Sequence, residues 1–230
     1  MKLVGFGCSF TYGSELMDPE LEGDYDRHYD NIPYREKHCW LGQLAKMLDC
    51  SSDNRAEPAS SNFSIQEEFG DWFDSRLPDS NDVVCIAWTN HLRTSWRSDN
   101  EQRWIHDGFV RNEDEKLFHD SFKEWLTLSY ERNATVTNHA KLFVNSVCQA
   151  NNIKIIQFNA LPNIPTPYEF TNFHQGDQNM QNVLRNEELR LVGSRKQKKN
   201  FLAPGDHPNE AGHKHYAKML HSWIEAKNIV

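Results

Sequence analysis

Apolar and polar positions along this chain switch between two periods. Leu3-Val4-Gly5-Phe6 is a short continuous apolar run that stops at Gly7, the mark of a buried strand. From Trp40 to Leu48 the apolar residues fall at 40, 41, 44, 45, 47 and 48, which is helical spacing. Asn62 to Phe73 continues in that period, with Phe63, Ile65, Phe69, Trp72 and Phe73 on or near one side. Asp82 to Trp88 (DVVCIAW) is apolar after its first residue and rich in β-branched side chains, as a central parallel strand should be. A helix is predicted over 138–150, a strand over 153–159 and a terminal helix over 210–227. Strand, helix, strand, helix, strand, helix implies right-handed crossovers and a parallel sheet covered on both faces.

Three stretches break that rhythm. Residues 14–37 are acidic and tyrosine-rich, and too long for a simple loop. Residues 91–135 carry Trp96, Trp104, Phe109, Phe118, Phe122 and Trp125, and read as an inserted helical subregion or lid. Residues 162–199 begin with Pro162, Pro165 and Pro167 and continue as a polar, helix-like run. The expectation is one domain over 1–230 with insertions near 14–37, 91–135 and 162–199.

Composition narrows the function. Twelve per cent of residues are aromatic, which argues for a folded chain. A formal charge of -8 argues against a partner bound by phosphate neutralisation, so no nucleic acid is expected. The one dense basic run, Arg195, Lys196, Lys198 and Lys199, reads as a solvated loop or helix end. Five cysteines, an odd count without a CxxC pair, suggest free thiols in a reducing compartment. No signal-peptide pattern and no run near 18 apolar residues is visible, so the expectation is a cytoplasmic protein without membrane contact.

In an open parallel sheet, functional groups gather at the carboxyl ends of strands, where Ser9 and Asn90 both fall. Gly7-Cys8-Ser9-Phe10-Thr11-Tyr12-Gly13 follows the first strand. Asn54 to Asn62 (NRAEPASSN) follows the first helical stretch, Ala87-Trp88-Thr89-Asn90 closes the central strand, and His207-Pro208-Asn209 precedes Gly212-His213. These four segments resemble the four blocks of the SGNH (GDSL-type) hydrolase family. Cys8 stands where that family has an Asp outside its triad. The second-block glycine falls at Ala59 or Ser60, and Ala87 stands where a glycine is common.

The resemblance implies an α/β fold: a three-layer α/β/α, flavodoxin-like parallel sheet with helical insertions. It implies a serine esterase working through an acyl-enzyme. Ser9 would be the nucleophile, activated by His207 as general base and then acid. In the family an Asp three residues before the His orients the ring, but position 204 is proline. Asp206 is the candidate in its place, or a Ser-His dyad operates with the ring held by a backbone carbonyl. The oxyanion hole would comprise the Ser9 N–H, the Asn90 side-chain amide and a backbone N–H at Ala59 or Ser60. No cofactor and no metal are implied. The substrate would be a small-molecule or carbohydrate ester, possible O-acyl groups on sugars included, because aromatic faces stack on sugar rings. The alternative is an SGNH-like carbohydrate-binding module whose catalysis has decayed.

Three other chemistries have partial signals. Gly5-x-Gly7 opens like a dinucleotide loop, but Phe10 stands where the third glycine belongs. Cys8 is an alternative thiol nucleophile. His207, His213, His215 and His221 lie along one helix and its entry, without the second carboxylate-bearing element a metal site would use.

Overall fold

The apolar run at the start of the chain forms β1 (Lys2–Gly7) in the computed structural model, which describes residues 1–21, 29–75, 79, 81–98, 101–105, 130–163, 168–174, 179–192 and 201–230. A one-turn helix α1 (Ser9–Tyr12) follows, then a 3₁₀ turn (Tyr29–Asn31), α2 (Ile32–His38) and α3 (Trp40–Met47). β2 (Ser51–Asn54), α4 (Asn62–Ser75) and β3 (Asp82–Trp88) come next. Beyond them lie β4 (Thr94–Ser98), β5 (Glu101–Ile105), α5 (Tyr130–Ala150) and β6 (Lys154–Asn159). The described chain closes with β7 (Phe173–His174), α6 (Met180–Val192) and α7 (Glu210–Lys227).

The main sheet is parallel, in the order β2-β1-β3-β6-β7. The chain winds outward from β1 to β2 and then crosses back to β3, so the winding reverses between β1 and β3. Ligands of such sheets bind in the crevice beyond that reversal. Ser9 follows the end of β1, and Asn90 follows the end of β3.

Side chains alternate between the two faces, as the pleat requires. Leu3, Val83, Cys85, Ala87, Ile156 and Phe158 join α3, α6 and α7 in one buried layer. Val4, Phe6, Val84, Ile86, Trp88 and Ile155 join α4 and α5 in the other. Trp40 meets Phe158 edge-on at 5.0 Å in the first layer, and Phe6 meets Phe69 and Trp72, each at 5.7 Å, in the second. Each such fully buried side chain contributes ~1.5–3 kcal/mol. The expected three-layer α/β/α architecture is therefore the one observed.

Some elements depart from the sequence reading. β2 (SSDN) has no apolar residue, so no hydrophobic pattern could reveal it; it pairs with β1 at the sheet edge, and Lys2 reaches Asp53 at 3.0 Å. α5 starts eight residues before the predicted helix, because most of its first two turns are exposed and carry no apolar stripe. The first part of the 91–135 insertion is not helical but an antiparallel β4–β5 hairpin. Phe109, Phe118, Phe122 and Trp125 lie outside the described residues, as do Pro165, Pro167 and the basic run at 195–199. The 162–199 insertion contributes β7 to the sheet edge, and α6 brings Met180 and Leu184 into the core.

Candidate active site

β1 ends at Gly7, and the chain turns at once into α1 with Ser9 as its first residue. A side chain at Gly7 would collide with Thr11, so the turn can fold this tightly only with glycine there. The carbonyls of Cys8 and Ser9 accept the N–H groups of Thr11, Tyr12, Gly13 and Ser14 at 2.8–3.0 Å. As the first helical residue, Ser9 has a backbone N–H without an intrahelical acceptor. α1 is stopped by Gly13 at φ 85, and Glu15 then turns back at φ 67.

Across the crevice, the segment 201–209 enters α7. Its N-cap Asn209 accepts the Gly212 N–H at 3.0 Å. Leu202 bridges to Pro208, and Ala203 N–H donates to the His207 carbonyl at 2.7 Å. This tight loop presents the His207 ring to α1.

There the two ends of the chain meet. His207 Nε2 lies 3.0 Å from Ser9 Oγ. His207 Nδ1 lies 2.8 Å from Glu15 Oε2. The Glu15 carboxylate also accepts the N–H of Gly205 at 2.8 Å and of His207 at 3.3 Å. The Phe10 ring lies against the imidazole with centroids 5.5 Å apart. With Glu15 accepting from Nδ1–H, Nε2 is left as the acceptor for the Ser9 hydroxyl. That arrangement can carry a proton from serine to imidazole.

Asp206, the expected orienting acid, is elsewhere. Its backbone is at φ 68 and its Oδ2 lies 3.1 Å from Arg185 of α6. Being next to His207 in sequence, it projects away from the ring, and both ring nitrogens are held by Ser9 and Glu15. Glu15 was missed because it lies at the start of an insertion. The available signal was the Gly13 helix stop, which returns the chain toward the crevice.

The other predicted residues surround the same strand ends. Arg55 and Glu57 N–H groups bond the carbonyls of Gly5 (2.8 Å) and Gly7 (3.2 Å), laying the β2–α4 loop along the end of β1. Ala59 sits at φ 65, the left-handed conformation that a glycine would take without strain. Ser60 turns its N–H and its hydroxyl to the Glu57 carbonyl, at 3.4 and 2.9 Å. The Ala59 N–H has no such acceptor among the described residues. Asn90 is half-buried, and its Oδ1 accepts the Leu92 N–H at 2.8 Å, while Nδ2 has no hydrogen-bond partner among the described residues. A cavity of about 430 Å³ beside this loop is lined by Gly7, Arg55, Glu57 and Ser60 with residues of α4.

Cys8 is buried at the N-cap of α1, and it is the neighbouring Ser9 that meets the imidazole. His213 is fully buried and accepts the Trp40 N–H on Nδ1 at 3.0 Å. Burial, with the nearby His207 adding to it, pushes His213 down to about 3, so it stays neutral. With that nitrogen occupied, and both of His207 occupied, the late histidines do not form a metal-ligand set. Among the described residues no cluster of three or more His, Cys, Asp and Glu side chains is placed to hold a metal. No described helix is long and apolar enough to cross a membrane.

Comparison with solved structures agrees with the architecture. A Corynascus thermopiles carbohydrate esterase family 2 enzyme with a carbohydrate-binding domain superposes over 98% of this chain and 65% of its own, at 13% identity and TM-score 0.50. A carbohydrate esterase described as displaying divergent catalytic and non-catalytic binding functions covers 98% of this chain and 64% of its own, at 12% identity and TM-score 0.49. A GDSL-like lipase from Bacteroides thetaiotaomicron covers 98% and 88%, at 13% identity and TM-score 0.43. This chain thus spans a little under two thirds of the two carbohydrate esterases. No protein-family model matches it, and no curated protein matches it in sequence.

Proposed function

From a fold of the SGNH/GDSL hydrolase type, we propose that this chain is a serine esterase acting through an acyl-enzyme. The observation that carries this reading is the continuous contact Ser9 Oγ, His207 Nε2, His207 Nδ1, Glu15 Oε2, at 3.0 and 2.8 Å. Fold alone would not assign a chemistry. A decayed binding module would have no use for a serine hydroxyl aligned on an imidazole that a carboxylate orients.

In the first half-reaction, Ser9 Oγ attacks the ester carbonyl carbon as its proton passes to His207 Nε2. Glu15 holds the ring in the tautomer that can accept this proton, and faces the imidazolium that results. The tetrahedral oxyanion is received by the Ser9 N–H, the Ala59 N–H and Asn90 Nδ2. His207 returns the proton to the departing alcohol oxygen, leaving an acyl-serine. Water repeats the sequence and releases the acid.

The proposed substrate is a small O-acyl group on a carbohydrate or another polar alcohol. A likeness to a carbohydrate esterase favours it, and so does the polar character of the groups around the crevice. Labelling with a fluorophosphonate tests the chemistry. The expected result is one covalent adduct in the native protein and none in Ser9→Ala, with p-nitrophenyl acetate hydrolysis lost alongside. Absence of both labelling and hydrolysis in the native protein, with retained sugar binding, would overturn the esterase in favour of a binding module.

A further inference from the structure

The backbone just beyond β3 is held by asparagine side chains instead of by the sheet. Thr89 is the first residue past the last rung of the sheet, where Trp88 C=O takes the Ala160 N–H at 2.8 Å. Its own N–H and C=O therefore have no strand partner, although the residue is fully buried. Asn62, the first residue of α4, meets both: it accepts the Thr89 N–H at 2.8 Å and donates to the Thr89 C=O at 3.0 Å. Asn163, arriving from β6, donates to the same carbonyl at 2.7 Å. Asn62 is itself fixed by the Thr137 hydroxyl of α5 at 3.1 Å, and Asn163 contacts Asn159 at 3.4 Å. The two peptide groups that flank the Thr89 Cα are thus gripped from α4, from α5 through Asn62, and from the loop after β6.

The residue that follows is Asn90. Its Oδ1 is committed to the Leu92 N–H and its carbonyl to the Arg93 N–H at 3.1 Å. Where its Nδ2 points is consequently set by the φ and ψ of Thr89 and Asn90, and the grip on Thr89 fixes those of Thr89. We propose that Asn62 and Asn163 are positioning residues for oxyanion stabilisation, acting through Thr89 on the Asn90 amide. The inference rests on the assignment of Asn90 as an oxyanion donor. Preorganised donors stabilise charge because they need not reorient as it develops, so loosening the grip should slow the acyl-transfer step without weakening substrate binding.

A double-mutant cycle on p-nitrophenyl acetate hydrolysis tests this, with kcat and KM measured separately. Asn90→Ala should lower kcat by about 10²–10³. Asn163→Ala should lower kcat roughly ten-fold, the scale of one lost hydrogen bond, with KM unchanged. The double variant should be no slower than Asn90→Ala alone, because Asn163 would have nothing left to position. Should Asn163→Ala fail to fold, Asn62→Ser completes the same cycle. Losses that multiply in the double variant, a change confined to KM, or full activity in Asn163→Ala overturn the proposal. Wild-type kcat in Asn90→Ala removes the donor assignment itself, and that arm is read from the single variant.

Discussion

Glu15 and His207 stand 192 positions apart, yet the carboxylate of one binds both the ring and the backbone of the other, with Oε2 2.8 Å from Nδ1. Oε1 takes the Gly205 N–H, so a single side chain sets the imidazole tautomer and closes the loop that carries it. Glu15→Gln keeps the shape but can offer Nδ1–H only a neutral partner, and its amide can turn to favour the wrong tautomer. The expected loss in kcat is about 10²–10⁴ with little change in KM. Asp206→Asn, which weakens the pairing with Arg185 and leaves the Glu15–His207 contact in place, should keep activity within about two-fold for a half-exposed pair. The opposite ranking in steady-state assays would return the orienting role to Asp206.

Gly205 has a steric role in the same contact. A methyl group there would lie 2.6 Å from Glu15 Oε2 and 2.9 Å from its carboxyl carbon. Gly205→Ala must push the Glu15 carboxylate away from the loop, and with it from Nδ1. Activity should fall at least ten-fold, the effect of losing about one charge-assisted hydrogen bond. Because the loop is at the surface, the melting temperature should move by only a few degrees. A large drop in stability with kcat intact in the remaining folded protein would refute this account.

The residues on either side of this contact differ in how legible they were. Ser9, His207 and Asn90 each lie where a periodic apolar segment ends or begins, so strand and helix patterning located them. Glu15 follows no period; its place depends on a helix stop and a left-handed residue, which are backbone events without hydrophobic signature. The edge strand β2 escaped for a related reason: only its hydrogen bonds to β1 make it a strand. The β4–β5 hairpin shows the reverse error, where aromatic content suggested a helix and the chain pairs as two antiparallel strands. Asn62 and Asn163 were beyond sequence reasoning, since an asparagine near a helix start or after a strand is most simply a cap or turn residue.

Lys141 is fully buried in α5, and its Nζ has a long 3.4 Å contact with Asn159 Oδ1 and the Phe173 ring 5.3 Å away. Burial lowers its pKa from 10.5 to about 8. Below about pH 8 the folded state must carry a desolvated ammonium, a penalty on the order of 3 kcal/mol. Between about pH 8 and 10.5 the unfolded chain holds more protons than the folded one, so the penalty fades and stability rises with pH. Lys141→Met, similar in shape but uncharged, should therefore be more stable than the native protein at pH 7. Urea denaturation should show that advantage shrinking toward zero by about pH 10.5. A Met variant less stable at neutral pH would mean that the ammonium has a stabilising partner that outweighs its desolvation.

His213 should impose a dependence of the same sign on the acid side. Fully buried, with Nδ1 taken by the Trp40 N–H, it is held neutral by a fall from 6.5 to about 3. Between those values the unfolded chain binds a proton that the folded one refuses. The sign is thus a stability fully present above pH 6.5 and lost progressively as pH falls toward 3. One such group costs up to about 3 kcal/mol between pH 6.5 and about pH 4, at ~1.4 kcal/mol per unit. His213→Gln can still accept the Trp40 N–H but does not titrate. Its unfolding free energy, measured by urea titration across that range, should fall less steeply than the native protein's, by about that amount. Carboxylates add the same slope to both proteins, so the difference between the two curves isolates the imidazole. Parallel curves would show that the His213 site opens to solvent before the molecule unfolds, and that α3 and α7 do not seal it as tightly as the Trp40 contact implies.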